Sequence, residues 1–566
     1  MKLFFKEKVS LPLLCLLLCL FSFGIYANSL SGGFIWDDHY QVLDNRLLRS
    51  FENLPEIFFQ STSSFMGGES NYYRPLVYLW YLPIYQIFGP TAWAFHLGNL
   101  FFYGLTNILI LGIGITLLGK DRWLAVFIGV LFFASHPIHT EPVNWIAGFT
   151  ELSFSLFFLL AFWFYIKHRL DAKASYLIYA TAAFFCSLLL KETAVTLLPV
   201  IVVFEFCWKG ALASGRWVKA LFPLAGAFCL YFSFRMIILK GIPGIQLNLF
   251  DFSYWLNLPK VFFDYVLKII YPAKLSGFYE YQPITQLKSF SVFLLVGALL
   301  ALIGFSWFLC RKHKKVFFGL LFFVLTLLPA VLLYQGLAAI DNSYMADRYL
   351  YLPSFGVVLM VWFALSEIKI SSSVLGLCMV VIFAFSVMTF TRNQTWESNL
   401  TFWTDAAAKA PESSVPQGEL GYALLTTGKT KEAVAYLKKA ISLGPDRYRA
   451  YNNLGIAYSQ LGKEVESLNA FKTAVSKNPG FVAGRNNLGI AYGRRGSAVK
   501  AIEQFNAALQ IDPYYADSHA NIAEAYLQMG QTLDAVRHYQ RAVALSPENL
   551  RYQERLSLIT ASLNGG

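Results

Sequence analysis

The sequence predicts an all-α chain in two parts: a polytopic bundle of about eleven membrane-spanning helices, then a soluble superhelix of paired helices. Three observations predict it. The 566 residues are 56% hydrophobic and 17% aromatic, which is too apolar for a chain whose only solvent is water. Apolar segments near the roughly 20 residues a helix needs to cross the hydrocarbon core recur through the first two-thirds, with short polar breaks. After Trp396 charged residues become frequent and a 34-residue period sets in.

The apolar run Leu11–Tyr26 follows Lys2, Lys6 and Lys8 and has no clean small-residue cleavage site after it, so it reads as a retained first helix. Further spans fall near residues 91–118, 123–135, 148–166, 175–190, 193–208, 218–238, 290–310, 316–337, 349–366 and 374–391. Basic residues in short loops stay on the cytoplasmic side. Lys120 with Arg122, Lys167 with Arg169 and Lys173, Lys209 with Arg216 and Lys219, and Arg311 to Lys315 all belong there. Pro259–Ile270 carries Asp264 and Lys268 in only about twelve residues, which suits an interfacial or re-entrant segment. Parity then places the loop 27–90 and the C-terminus outside. The formal charge of +12 is largely that of loops between spans, so nucleic acid is not an expected partner. The seven cysteines lie in or beside apolar segments and form neither a disulfide framework nor a metal-ligand pattern.

In the soluble part, Pro445, Pro479, Pro513 and Pro547 are spaced by 34 residues. Gly428, Gly462, Gly496 and Gly530, and Ala440, Ala474, Ala508 and Ala542, keep the same step. That is the signature of a tetratricopeptide array, in which small residues let two helices approach and proline ends the second. The domains expected are 1–392, a membrane unit with its first outside loop at 27–90; 393–413, a junction and degenerate half-repeat; 414–549, four repeats; and 550–566, a capping helix and tail. A concave repeat surface suits an extended peptide or protein partner.

The outside loop carries more polar chemistry than a connector needs, namely Phe34-Ile-Trp-Asp-Asp38 and Tyr73-Arg-Pro-Leu76. His96-Leu-Gly-Asn99, His136-Pro-Ile-His-Thr-Glu-Pro-Val143, Gly148-Phe-Thr-Glu-Leu152, Lys191-Glu192 and Asp347-Arg-Tyr-Leu-Tyr-Leu-Pro-Ser354 follow in order. This series resembles the transmembrane and tetratricopeptide-repeat (TMTC) O-mannosyltransferases and their bacterial relatives, over nearly the whole chain. The family pattern often has Phe at Trp36, Gly-Arg at Gly148-Phe149 and Glu at Asp347, and the array here is shorter than in animal members. The resemblance implies a type C glycosyltransferase fold. It also implies transfer of one sugar, mannose, from a polyprenyl-phosphate donor to Ser or Thr of a protein, with inversion and with one acid of the first outside loop as catalyst.

Such chemistry needs a base, cations for a departing phosphate and an apolar groove for the lipid. Asp37 and Asp38 are the candidate bases, Asp37 preferred as the first of the pair; the alternative is a helix cap over His39–Leu48. Arg348 and Arg74 are the phosphate candidates, because a guanidinium offers two parallel donors. His136, His139 and Glu141 suit a substrate-facing or hydrogen-bonded loop better than a metal site, for Pro137 and Pro142 break the helical register. Lys191 and Glu192 either pair with each other or bind the donor headgroup. Asp347 either orients Arg348 or caps the next helix. No metal ligand and no cofactor is assigned, the lipid-linked sugar being a substrate. The membrane expected is a bacterial inner membrane with periplasmic repeats, or an endoplasmic reticulum with lumenal ones. An oligosaccharide ligase acting en bloc and a non-catalytic repeat scaffold are the competing readings.

Overall fold

The computed structural model describes residues 10–60, 72–208, 216–239, 252–284, 290–335, 343–368, 370–547 and 549–564. Lys2, Lys6, Lys8 and Lys209, with residues 61–71 of the predicted outside loop and residues 336–342, lie outside the described residues. The chain divides into two compact units, Met1–Phe402 and Trp403–Gly566.

The first unit is helical because its apolar segments satisfy every backbone group internally, the condition hydrocarbon imposes. Its principal helices are α1 Leu11–Tyr26, α2 Pro75–Phe88, α3 Ala92–Leu118, α4 Trp123–Ser135, α5 Phe149–Asp171, α6 Ala174–Leu190, α7 Leu197–Cys207, α8 Arg216–Ile238, α9 Phe252–Ile270, α10 Phe290–Lys312, α11 Lys314–Leu332, α12 Tyr351–Glu367 and α13 Ser372–Asn393. Among the described residues eight helices are long and apolar enough to cross a membrane, and all eight coincide with predicted spans. The other three predicted spans are the short helices α4, α6 and α7. A break after α4, before Pro137–Asn144, bends the chain by 51°. Counted as one bent span, α4 with its continuation makes nine. The expected interfacial segment is longer than predicted, starting at Phe252 and carrying Pro259 within it, and Lys260 bonds Asp264 one turn on. Helix α2, inside the predicted outside loop, was not anticipated; Pro75 at its first turn nucleates it.

Close backbone approach holds this bundle together. A Cβ on Gly356 of α12 would lie 2.7 Å from the Gly319 carbonyl of α11, so the two backbones touch where neither residue has a side chain. Polar stitches add direction. Asn107 of α3 donates to Ser22 of α1 at 2.9 Å, and Asn393 at the end of α13 donates to the Ile25 carbonyl of α1 at 2.9 Å. Toward the other end of α5, Arg169 grips the buried Glu205 of α7 at 2.7 and 3.1 Å while Tyr165 donates to it at 2.8 Å.

The second unit is four helix pairs: Ser414–Thr426 with Thr430–Leu443, Tyr448–Gln460 with Glu464–Lys477, Val482–Arg494 with Ala498–Ile511, and Ala516–Gln528 with Thr532–Leu545, followed by Leu550–Asn564. The glycines of the 34-residue period sit in the turn inside each pair with φ from +72 to +78°, a region closed to most side chains. The periodic alanines are fully buried between helices. Asn487 donates to Asn452 and Asn521 to Asn486, both at 2.9 Å, so equivalent amides link successive repeats. A cavity of about 440 Å³ opens between the second and third pairs, lined in part by Ile456, Asn487, Ile490 and Arg494.

Gly356→Val should force α11 and α12 apart and cost about 1–3 kcal/mol. A lower midpoint of thermal unfolding in detergent measures it.

Candidate active site

The polar motifs meet where the N-terminal ends of α2, α5 and α12 gather with the C-terminal end of α6. The loop Gly32–Leu43 is shaped by Trp36, whose φ of +52° places a bulky residue in the left-handed region. Three contacts hold it there. Its amide donates to Asn399 Oδ1 at 3.0 Å, its ring stacks on Trp145 at 5.7 Å, and Phe402 packs against it at 6.0 Å.

That turn sends the two adjacent acids into different settings. Asp38 is fully buried: Oδ2 accepts from the Ile35 amide at 2.9 Å and Oδ1 from the Ala147 amide at 2.8 Å. Burial pushes its carboxyl from the ordinary 3.8 up to about 8, against those amides, which lower it. It caps nothing; only the one-turn helix His39–Leu43 follows, and the Asp38 side chain makes no cap bond to it. Asp37 is half-buried, and its charge and that of Arg74 both act on the Tyr78 phenol.

Each predicted cation is paired with a glutamate. Arg348 bonds Glu141 Oε1 at 2.5 Å, and its own backbone amide donates to Oε2 at 3.0 Å. Arg74 bonds Glu192 at 2.9 and 3.4 Å. Lys191 bonds Glu151 rather than its sequence neighbour. Aromatic rings lie between these pairs. The Arg348 guanidinium stands 5.0 Å from the Trp145 ring and 4.8 Å from the Tyr349 ring, the Lys191 ammonium is also 4.8 Å from Tyr349, and Arg74 lies 4.3 Å over Tyr72. Burial works to raise the Glu192 carboxyl, yet the Arg74 guanidinium outweighs it and holds the group at about 2. For Lys191, burial wins over Glu151 and the ammonium titrates below its ordinary value.

The histidines stand apart from this cluster. His136 Nε2 contacts the Ile269 carbonyl at 3.0 Å while Nδ1 accepts from the Ile138 amide at 3.3 Å, so the proton is on Nε2. His139 contacts Ser354 Oγ at 3.0 Å and packs on Phe133. Asp347 neither orients Arg348 nor caps α12. Tyr279 donates to it at 2.5 Å and Arg392 at 3.3 Å, and this closes a separate buried network. Sequence reasoning missed Glu151, Trp145 and Tyr349 as members of the site. Glu151 lay in a quoted motif, and an acid just inside an apolar span was a usable signal. Tyr349 also lay in a quoted motif but read as packing and interfacial anchoring, and Trp145 carried no signal, since aromatic residues beside spans are ordinary.

Fold and site together define a class, a polytopic helical membrane protein with an ionisable cluster where helix ends gather, followed by tetratricopeptide repeats. The repeats match the families described as TPR repeat, at residues 421–462 and 494–530, and Tetratricopeptide repeat, at 448–480 and 516–549. The chain is 27% identical over 480 residues to human protein O-mannosyl-transferase TMTC3, covering 76% of this chain and 51% of that one. It is 31% identical over 255 residues to Drosophila melanogaster Tmtc2, covering 42% of this chain and 26% of that one. Human TMTC2 is 34% identical over 190 residues, 32% of this chain and 22% of that one. The resemblance drawn from the motifs is thus matched by curated relatives, and the chain spans about half the length of human and mouse TMTC3 and less of the other two. A crystal structure of MamA covers 27% of this chain and 84% of its own at 23% identity and a TM-score of 0.24.

Asp38 and Glu192 should give opposite pH dependences. The folded chain holds the Asp38 proton more tightly than the unfolded chain does, so that contribution falls as pH rises from about 4 to about 8. Glu192 is shifted the other way, so its contribution is present above about 4.5 and lost as pH falls toward about 2. Thermal unfolding across this range should lose the first component in Asp38→Asn and the second in Glu192→Gln.

Proposed function

We propose that the chain is a membrane glycosyltransferase that moves a single sugar, mannose, from a polyprenyl-phosphate donor to a Ser or Thr hydroxyl of a protein. The observation that carries this reading is the gathering of Arg74, Lys191 and Arg348, distant in sequence, around one set of helix ends, with Asp37 following the Trp36 whose ring stacks on the Trp145 that Arg348 faces. The curated relatives named protein O-mannosyl-transferases support it.

Asp37 is the base in this scheme. It takes the acceptor proton as the hydroxyl oxygen attacks the anomeric carbon, the bond from that carbon to the phosphate oxygen breaks, and the configuration inverts. The lipid leaves as a phosphate carrying one more negative charge, which Arg348, Arg74 and Lys191 meet. Asp38 has both oxygens committed to backbone amides, and so it shapes the loop rather than facing an acceptor. The repeats hold the acceptor protein, and the cavity between their second and third pairs suits a peptide side chain. The membrane is a bacterial inner membrane with periplasmic repeats or an endoplasmic reticulum with lumenal ones.

Reconstitution with polyprenyl-phosphate mannose and a Ser/Thr peptide tests the scheme. Asp37→Asn should lower transfer about 10²–10⁴-fold with the fold intact. Asp38→Asn should instead lower folded yield, at a cost of about 1–3 kcal/mol, since an amide offers one acceptor where two backbone donors wait. Undiminished transfer by Asp37→Asn would remove it as the base. Transfer only of intact oligosaccharides would support the en bloc ligase, and no transfer from any donor the scaffold.

A further inference from the structure

Trp145 touches both halves of the candidate site, and no motif or chemical role had marked it. It is 4% exposed. Its ring stacks on Trp36 with an interplanar angle of 19°, and its indole Nε1 donates to the Ile35 carbonyl at 3.3 Å. The Arg348 guanidinium lies 5.0 Å from the same ring, an attraction between a cation and an electron-rich face. The backbone around Trp145 is fixed as well. Its amide donates to the Glu141 carbonyl at 3.0 Å, and its carbonyl accepts from Asn99 at 2.8 Å. Glu141 is the carboxylate that grips Arg348, and Ala147, two residues on, donates to Asp38.

The strained turn makes this placement consequential. A non-glycine residue in the left-handed region costs of order 1–3 kcal/mol and persists only where its surroundings over-determine it. At Trp36 the stacking ring is one of the three contacts that do so, and Asp37 is the next residue. We infer that Trp145 is a positioning residue: with one ring it holds the Trp36 turn that carries Asp37 and the guanidinium of Arg348, and so sets the separation of base and leaving-group cation. This rests on the transfer reaction proposed above, although the geometric part does not require it.

The test uses the full chain reconstituted with polyprenyl-phosphate mannose and a Ser/Thr peptide, comparing W145F, W145L, R348K and the double variant W145L/R348K. W145F keeps a flat ring and should stay within about 3-fold of wild-type kcat, while W145L should lose about 10-fold or more with acceptor KM within about 3-fold. In the R348K background W145L should still lose activity through the Trp36 turn, but by a smaller factor than in the wild-type background, because the part of its effect that runs through the Arg348 guanidinium is already altered. Equal kcat in W145L and wild type, or losses that multiply independently, would overturn the inference. Amide hydrogen exchange gives a second readout that needs no activity. W145L should raise exchange in residues 34–43 and 346–350 together by about 10-fold or more while W145F does not, and unchanged exchange in either segment would overturn it. If wild-type protein transfers no sugar from any donor the proposed function fails, and the exchange result still decides the positioning role. Should W145L not fold, W145H takes its place in both measurements.

Discussion

The carboxyl group of Asp38 joins two stretches of chain more than a hundred residues apart, accepting from Ile35 within its own loop and from Ala147 just before α5. Neither bond is exposed to water, and a buried amide without a partner costs more than the bond itself contributes. Asp38 therefore satisfies two donors that would otherwise be orphaned and fixes where the loop meets the bundle. The acidic side of the site depends on that junction: with Asp38 pinned inward, Trp36 stacks on Trp145 and Asp37 is carried between them.

A second constraint is charge. Ionisable groups near hydrocarbon are expensive unless paired or solvated. Arg74, Lys191 and Arg348 are each matched by one glutamate, so the cluster as built carries little net charge. Such pairing holds the cations in place at the helix ends. The aromatic rings of Tyr72, Trp145 and Tyr349 beside these cations also remove water from around them, which strengthens each charge interaction.

Much of this was legible in the sequence. The eight long spans were readable because length and apolarity are local properties, and the repeats because a 34-residue period survives whatever lies between its fixed positions. The limits were local too. Helix α2 hid in a loop because its apolar run is short, and α9 began earlier than read because Pro259 looked like a boundary. Lys191 and Glu192 could be singled out as charges too costly to be idle, and Arg74 and Arg348 by their motifs and forked donors, but not their partners. Lys191 stands next to Glu192 and pairs with Glu151, forty residues away.

By itself the sequence determined the long apolar helices, where the repeats run and which ionisable residues demanded explanation, because hydrophobic periodicity and desolvation cost act residue by residue. Only the tertiary structure decided how the two adjacent acids divide. Asp37 and Asp38 are chemically identical, and nothing local separates them. What separates them is the strained turn at Trp36, which depends on Trp145 and Asn399, residues that reach it only once the bundle has folded.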